Sequence, residues 1–528
     1  MGLATNIKVR VPGRSSFDKS FKNILTARVG GLTPLVSKYV MPGSKGSLKL
    51  AISAALPPLA SDTFMRADLK VEAFLCPYRL LYGGFESWLT DKKLRDNTNS
   101  TYVKAELPRL RVGNTGYAAD VAHMGPGSLA DYLGLRVSTD ANFFPQSPSY
   151  YNIFPFLAYH YIWDTWYRNP RLTNPLFSQP VGSAAIGLSS LPYHALSSIT
   201  NWDIDAQFPD ATHLYDLRSR NYGADYFTIA TPSAQLGSAQ SVAVSSNAFT
   251  IQALREANSL QQFAERSNLG SPRLQDYVRA HFGADLSAGI AQRPILLGSA
   301  SYPVYSKGVY SNSGVTATNN PFTSVGAQYG QASASGIDFV CNFECNEPSQ
   351  LMVLVSLVPE ANYGSGIDHE FFLLNAAGAQ VDLPDPLLEN TGNEPIYGSE
   401  LSGFMFGSPG GVPSPGAVFG YVPKNSWHKC SRNEVHGLLR AGESLDSFVA
   451  QRAVTVQPTI NTSFARIHNN DLDNVTAVTA ELSQYGCWID SFVDLKVSEP
   501  LSESAMPSLQ DPSYEHGQRV VLNQVHAL

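Results

Sequence analysis

The stretch SLKLAISAAL, residues 47–56, carries apolar side chains at every second position. Successive side chains of a β-strand point to opposite faces, so Leu48, Leu50 and Ile52 share one face of a strand. The segments 69–78 (LKVEAFLCPY) and 489–497 (IDSFVDLKV) have the same period, while 351–358 (LMVLVSLV) is a continuous apolar run typical of a strand covered on both faces. Long segments rich in Gly, Pro and Ser join these distant strands, which favours an antiparallel β-sandwich.

A second stretch, FPFLAYHYIWDTWYRNP at residues 154–170, holds seven aromatic side chains in seventeen positions. Pro155 suits the first turn of a helix and Pro170 ends the segment, so the pattern predicts a helix over 155–168. At about 100° per residue, one stripe collects Phe156, Tyr159, His160, Trp163, Trp166 and Tyr167. We expect this stripe to pack in a core, and a smaller patch of Leu157 and Tyr161 is a candidate contact with another subunit.

Two further helices are predicted at 250–268 and 271–283. Ser271 suits the N-cap of the second helix, Pro272 its first position and Gly283 its end. The stretches 300–337 and 405–420 have the composition of loops.

The overall composition is poor in charge. Charged residues make up 15% of the 528 residues, whereas about 25% is usual, and aromatic residues make up 11%. Since the cores of protein–protein interfaces are depleted in charge and enriched in aromatics, two interpretations remain: a large enzyme with a big core, or a subunit buried against its neighbours. The net charge of −7 excludes a generic basic nucleic-acid binder.

The beginning of the chain differs from the rest. Residues 1–30 contain one acid, Asp18, and six cations: Lys8, Arg10, Arg14, Lys19, Lys22 and Arg28. Such an arm can neutralise phosphate groups, and a solvated terminus is the alternative.

The five cysteines do not indicate a disulfide scaffold, because their number is odd and they are sparse. Phe339, Cys341, Phe343 and Cys345 alternate with polar or smaller residues, which is the period of a strand. The two cysteine sulfurs would share one face about 13 Å apart, too far to bridge each other or to share a metal. We expect buried free thiols, as in a protein made in a reducing cytoplasm.

Catalytic and metal-binding motifs are missing. His369 and Glu370 lack the second histidine of a zinc-protease helix, because Leu373 occupies that position, and the chain has no nucleophile elbow and no phosphate loop. Asp471 and Asp473 in NNDLDN could hold a calcium ion, although a turn rich in Asn and Asp is the default interpretation. We expect no enzyme activity and no cofactor. No signal peptide and no apolar run of 18 residues occurs, so no membrane insertion is expected.

A series of phrases follows a known collinear order: 17–50 (FDKSFKNILTARVGGLTPLVSKYVMPGSKGSLKL), 127–135 (GSLADYLGL), 154–172 (FPFLAYHYIWDTWYRNPRL), 220–237 (RNYGADYFTIATPSAQLG), 249–283 (FTIQALREANSLQQFAERSNLGSPRLQDYVRAHFG), 293–299 (RPILLGS), 458–464 (PTINTSF) and 505–509 (AMPSL). In this order the chain resembles, over nearly its whole length, the major capsid proteins of the microviruses (Microviridae), specifically the gokushovirus branch. These are small icosahedral phages with circular single-stranded DNA.

The resemblance implies a mainly β fold, an eight-stranded antiparallel viral jelly roll with long inserted loops and a few short helices. The implied organisation is a basic arm at 1–46 on the inner surface, one capsid domain at 47–510 with insertions at about 79–340 and 360–425, and a tail at 511–528. Sixty copies would form a T=1 shell around the DNA, with candidate DNA contacts at Lys8, Arg10, Arg14, Lys19 and Lys22. Five aromatics would pin an inserted loop onto the sandwich near a subunit junction: Phe156, Tyr159, Trp163, Trp166 and Tyr167.

The same resemblance implies further partners, namely a scaffolding protein, a minor or pilot protein and a host surface receptor. Relatives carry a long insertion after the phrase at 220–237 that builds a protrusion at the threefold axis. Here only about a dozen residues separate Gly237 from Thr250, so the usual protrusion is not expected. Other candidate projections are 171–215, 300–337 and 360–425, where exposed loops would contact a receptor.

Two alternatives belong to other classes. In a β-sandwich carbohydrate-binding protein or glycoside hydrolase, a sugar groove would be lined by Trp202, Asp203 and Asp205 in NWDID. A phage tail or adhesin subunit is a further structural alternative, and it should lack the collinear phrases.

Overall fold

The computed structural model describes most of the strands and the segments packed on them. The described residues are 14–82, 85–89, 93–95, 102–104, 107, 109–112, 124–135, 149–173, 176, 214–233, 255, 259, 263, 274–284, 293–310, 328–372, 384, 392–402, 418–452, 454, 459–477 and 486–501.

Strands dominate these residues. In chain order they are β1 Ser15–Asp18, β2 Phe21–Ala27, β3 Thr33–Val40, β4 Ser44–Ala55, β5 Ala67–Pro77, β6 Lys93–Arg95, β7 Tyr102–Lys104, β8 Arg109–Val112, β9 Ser149–Asn152, β10 Ile295–Pro303, β11 Tyr305–Tyr310, β12 Gln328–Cys345, β13 Ser349–Pro359, β14 Asn393–Tyr397, β15 Val418–Pro423 and β16 Cys487–Glu499.

The helices are short. They are α1 Tyr78–Leu81, α2 Phe85–Leu89, α3 Leu129–Tyr132, α4 Phe154–Ile162, α5 Leu274–Phe282, α6 Ser399–Ser402, α7 Ser426–Lys429 and α8 Thr462–Ala465. A π-helical turn, Trp163–Tyr167, continues α4, and 3₁₀ turns lie at His369–Phe372, Gly437–Leu439 and Asp446–Phe448. In the part of the chain that the structure describes, no helix is long and apolar enough to cross a membrane.

Two sheets form the body of the molecule. The six-stranded sheet has the order β1–β16–β4–β12–β11, with β2 also paired to β16, and the four-stranded sheet has the order β10–β5–β13–β3. Small hairpins are formed by β6–β7, β8–β9 and β14–β15. Every pairing between these strands is antiparallel. The predicted antiparallel β-sandwich is therefore confirmed.

One apolar core fills the space between the sheets. The strand faces predicted from period-two spacing are confirmed, since this core contains Leu48, Leu50 and Ile52 of β4, Leu69, Val71, Ala73 and Leu75 of β5, and Ile489, Val493, Leu495 and Val497 of β16. The inward position of β16 between Ile489 and Val493 is polar. There Ser491 donates its hydroxyl to the carbonyl of Asn23 at 2.8 Å, which satisfies the buried group.

Strand β13 is covered on both faces, as its continuous apolar run predicts. Leu351, Val353, Val355 and Leu357 face the sandwich core, whereas Met352 and Leu354 face a second apolar cluster behind the four-stranded sheet. This second cluster requires a cover from outside the sandwich.

The loop predicted at 300–337 is wrong for much of its length, because residues 300–303, 305–310 and 328–337 belong to β10, β11 and β12. The alternating side chains of β12 are small: Ala332 and Ala334 face inward, and Ser333 and Ser335 face outward. Small residues fit because Tyr302 of β10 packs against β12; a Cβ on Gly336 would lie 2.5 Å from the Tyr302 ring. Composition alone therefore concealed the strand. The loop predicted at 405–420 includes the start of β15.

The predicted common face of Phe339, Cys341, Phe343 and Cys345 is wrong for Phe339 alone, since the other three are buried. The register of β12 against β4 shifts between Phe339 and Cys341, so a β-bulge places Phe339 on the exposed face and Val340 and Cys341 in the interior. Gly298 accommodates this bulge, since a Cβ there would lie 2.2 Å from the carbonyl oxygen of Val340.

The predicted free thiols are confirmed. All five cysteines are free, and only Cys430 is exposed. Burial raises the pKa of the Cys341 thiol to about 11 and that of Cys487 to about 12, so both stay protonated at neutral pH.

Strands of the main sheets lie within two of the predicted segments: β1–β3 lie in the predicted arm at 1–46, and β10 and β11 lie in the predicted insertion at about 79–340. We refer to residues 78–294, between β5 and β10, as the inserted segment. Between β13 and β16, the described residues contain no strand of either main sheet. The predicted tail at 511–528 lies outside the described residues.

The predicted helix at 155–168 is confirmed as α4 and its π-helical continuation, and the one at 271–283 as α5. Gly283 ends α5 with a positive φ of 65°, which a glycine adopts without strain. Residues 255, 259 and 263 of the helix predicted at 250–268 are helical, and the rest of that segment lies outside the described residues, as do Ser271 and Pro272.

Candidate assembly and DNA-contact sites

Helix α4 covers the back of the four-stranded sheet. Its side chains join one cluster with Phe74 and Cys76 of β5 and with Met352 and Leu354 of β13. The stacked rings of Tyr78 and Phe154, 4.4 Å apart, close one end of this cluster. We refer to these residues as the helix–sheet cluster. It fixes the inserted segment 78–294 to the sandwich.

The predicted aromatic stripe lies inside the subunit. Phe156, Tyr159, Trp163 and Tyr167 are buried, and Trp166 is half-buried. Leu157, predicted as a contact with another subunit, is also buried within the chain, and Tyr161 packs against the same cluster. That contact prediction is wrong for Leu157, because α4 is apolar on all sides and is enclosed by this chain's own residues.

The polar tips of the rings tie separate segments together. The Tyr159 hydroxyl donates to the carbonyl of Leu32 at 2.8 Å and accepts from the backbone N–H of Arg218 at 2.8 Å. The indole of Trp163 donates to the carbonyl of Ser219, and that of Trp166 to the carbonyl of Pro294, both at 3.0 Å. Each ring therefore supplies both apolar contact area and a satisfied hydrogen bond.

An ion pair closes the edge of the helix–sheet cluster. Arg220 approaches both carboxylate oxygens of Glu72 on β5, at 2.7 and 3.2 Å, and the Tyr167 hydroxyl donates to the same carboxylate. Burial and the Glu72 charge raise the pKa of Tyr167 well above its usual value, so the hydroxyl remains a donor. Sequence reasoning missed Glu72 and Arg220. The available signal was a carboxylate, Glu72, between the apolar residues Val71 and Ala73.

Arginines also cover the tryptophans. Arg218 lies 4.8 Å from the Trp163 ring and Arg293 lies 4.5 Å from the Trp166 ring, within the range of a cation–π interaction. Arg218 also donates from Nε to Nδ1 of His160 at 3.2 Å, while Nε2 of His160 lies 2.9 Å from the carbonyl of Leu214. The buried imidazole is therefore neutral, with its proton on Nε2. Burial, followed by the charge of Arg218, holds the pKa of His160 well below its usual value.

The structure separates the predicted DNA contacts into two groups. Lys19 lies 2.6 Å from the buried carboxylate of Glu499, and Lys22 lies 2.9 Å from the exposed Asp490. Arg14 is exposed at the residue before β1. Lys8 and Arg10 lie outside the described residues. The charge of Lys19 is thus compensated within the subunit.

The acidic candidates do not converge on a metal site. One carboxylate oxygen of Asp471 accepts from the Tyr222 hydroxyl at 2.6 Å and from the backbone N–H of His468 at 2.7 Å. His369 contacts the buried Glu400 at 3.2 Å. Within the described ranges, no cluster of three or more His, Cys, Asp or Glu residues is arranged to hold a metal. This includes the surroundings of Asp471 and Asp473. Trp202, Asp203 and Asp205 lie outside the described residues.

Replacing Arg220 by Met should destabilise the subunit by about 2 kcal/mol, because Glu72 would stay largely buried without its cation. Urea unfolding of the full-length chain measures this loss. The matched control is Lys45→Met, which breaks a solvent-exposed pair with Glu344 at 3.1 Å and should change stability by less than about 0.5 kcal/mol. Equal losses in the two variants would contradict the structural role of the Glu72 pair.

His160 should make the fold sensitive to acid. The unfolded chain takes up a proton near the usual histidine pKa while the folded chain does not, so stability is full above about pH 6.5 and falls as the pH drops below it. The midpoint of the unfolding transition should decrease when the pH is lowered from 7 to 5. The slope of this midpoint against pH should be smaller for His160→Gln. His436→Gln, which changes an exposed histidine, should keep the parent slope. An unchanged slope in His160→Gln would rule out this contribution.

Comparison with known proteins places this architecture in one family. A sequence family described as "Capsid protein (F protein)" matches residues 5–249 and 243–509. The chain is similar to "Capsid protein VP1" of Chlamydia phage 1, with 23% identity covering 94% of this chain and 96% of that protein. It is also similar to "Capsid protein VP1" of Bdellovibrio phage phiMH2K, with 21% identity covering 88% and 90%. The resemblance to microvirus capsid proteins is confirmed. Of the two interpretations of the composition, the comparisons favour a structural subunit over a large enzyme. The chain belongs to the capsid protein (F protein) family of phages.

Proposed function

We propose that this structural protein of the phage virion is the major capsid subunit of a T=1 shell, in which sixty copies enclose a circular single-stranded DNA genome. The observation that carries the proposal is the family match, which covers almost the entire chain. Each subunit contributes several different faces, and closed symmetry converts such contacts into a finite shell. Individual contacts need only be modest, because every subunit makes many of them at once.

The strand order supports an eight-stranded jelly roll as the unit of this shell. The core strands in chain order are β2, β3, β4, β5, β10, β12, β13 and β16. They form the rows β2–β16–β4–β12 and β3–β13–β5–β10. The chain passes from one sheet to the other between β2 and β3, β3 and β4, and β4 and β5, which is the double Greek-key pattern of viral jelly rolls. In this arrangement β1 and β11 extend the edges of the first sheet.

The N-terminal arm, taken as residues 1–14, faces the packaged DNA. Its cations Lys8, Arg10 and Arg14 neutralise phosphates, while Lys19 and Lys22 have acidic neighbours within the subunit. The arm leads into β1 at the edge of the six-stranded sheet.

Other partners act at the remaining surfaces. The segments 171–215, 311–327 and 360–425 supply the projections that contact a host surface receptor, because exposed loops carry variable function. The described residues of 171–215 and 360–425 belong to neither main sheet. A scaffolding protein and a minor or pilot protein join assembly in the bacterial cytoplasm.

The purified full-length protein should assemble into a particle of about 3.4 MDa, sixty times the 57.2 kDa chain. Size-exclusion chromatography with electron microscopy distinguishes this shell from a small oligomer. A stable monomer under conditions that support phage growth would contradict the proposal.

Removing residues 2–14 should lower the DNA content per particle, because phosphates lose their compensating cations. The absorbance ratio at 260 and 280 nm of purified particles measures this content. A matched variant with Lys8, Arg10 and Arg14 changed to Gln keeps the length of the arm and should show the same deficit. Normal DNA content in both variants would refute a role for the arm.

A further inference from the structure

The outward face of the six-stranded sheet exposes large apolar side chains. Trp488 and Phe492 of β16, Phe339 of β12 and Tyr305 of β11 are between 43% and 70% exposed. Ile24 of β2 and Ile337 of β12 lie on the same face and are also exposed. The corresponding face of the four-stranded sheet is covered by the helix–sheet cluster. We refer to Trp488, Phe492, Phe339 and Tyr305 as the ring platform.

The register places these rings in rows across the sheet. Lys22, Phe492, Ala51 and Ile337 are successive partners on β2, β16, β4 and β12. The next row along β4 runs Asp494, Lys49, Phe339. Adjacent strands are about 4.8 Å apart, so side chains two strands apart are separated by about 10 Å. Small side chains at the positions between the rings leave the flat ring faces open: Ala51, Ser53, Ala55, Ser333 and Ser335.

Lysines are interleaved with the rings. The outward positions carry five of them, Lys22, Lys45, Lys49, Lys307 and Lys496, against the acids Asp18, Glu344, Asp490 and Asp494. Three of the lysines pair with Asp490, Glu344 and Asp494. Lys49 and Lys307 form no ion pair with another residue of the described chain, and Lys49 is the direct strand partner of Phe339. The cationic arm also enters this sheet through β1.

We propose that the ring platform binds an unpaired stretch of DNA, with bases stacked on Trp488, Phe492, Phe339 and Tyr305 and with phosphates beside Lys49 and Lys307. This inference rests on the proposed function and adds to it the surface that the DNA occupies. Exposed rings on a sheet stack bases without reading their sequence, because every base has a flat π-face. Paired bases of a duplex are already stacked and are not accessible to the rings. The platform therefore selects single strands.

The test uses the full-length chain and fluorescently labelled oligo(dT) of thirty nucleotides at low salt. A variant with Phe339, Trp488 and Phe492 changed to Ser should bind at least tenfold more weakly, since each ring contributes a stacking contact. The matched control changes Phe64 and Phe371 to Ser, two exposed rings outside the sheet, and should bind like the parent chain. Changing Lys49 and Lys307 to Gln should reduce the slope of log affinity against log salt by about 1.4.

Any of three binding results would overturn the proposal: no binding of oligo(dT) by the parent chain, unchanged affinity in the triple ring variant, or equal affinity for a duplex of the same length. Electron microscopy of the same preparations shows independently whether shells form. Shells that form without binding at the ring platform would leave the proposed capsid function in place. Loss of shells with oligo(dT) binding retained would identify the platform as a contact between copies, which also overturns the proposal.

Discussion

The packing of α4 on the back of the four-stranded sheet is the contact on which the rest of the structure depends. Strand β13 is apolar on both faces, so the second sheet of the sandwich can cover only half of it. Leaving Met352, Leu354 and Phe74 in water would cost about 2 kcal/mol for each side chain. The aromatic helix removes this cost. It also explains why so many rings occur in one short segment, because aromatic side chains each bury a large area against the sheet.

The hydrogen bonds of the rings convert this cover into a fixed geometry. Apolar burial has no direction, but the tips of Tyr159, Trp163 and Trp166 bind the carbonyls of Leu32, Ser219 and Pro294. These three partners lie in distant parts of the sequence, so one helix sets the positions of several segments. Closing a long inserted segment costs little more entropy than closing a short one, and a few well-placed anchors therefore suffice. A subunit that must meet identical neighbours benefits from such fixed surfaces.

Sequence patterns predicted the sandwich and α4 where the alternating side chains are large. The period of two is plain in β4, β5 and β16, but in β12 the inward residues are Ala332 and Ala334, which composition cannot distinguish from a loop. The bulge at Val340 depends on Gly298 of another strand, so no local pattern predicts it. The ion pair of Arg220 with Glu72 joins residues 148 positions apart for the same reason. Resemblance to a family identified the class of protein from the sequence. The contacts of individual side chains could be identified only from the folded structure.

The scarcity of charge has two separate origins. The ring-rich segment that first suggested an interface is mostly buried within one chain, so its aromatics stabilise the subunit and are not themselves evidence for assembly. The rings that remain exposed are better evidence for a binding partner, because isolated soluble proteins rarely leave a large apolar face in water. Four exposed rings of the described strands, Tyr305, Phe339, Trp488 and Phe492, lie on the six-stranded sheet, and one, Tyr39, lies on the four-stranded sheet. The described residues of the inserted segment cover the four-stranded sheet and leave these four rings exposed. A sandwich with one covered and one bare face has an inside and an outside before any neighbour is added, and that asymmetry is what a wall enclosing a genome requires.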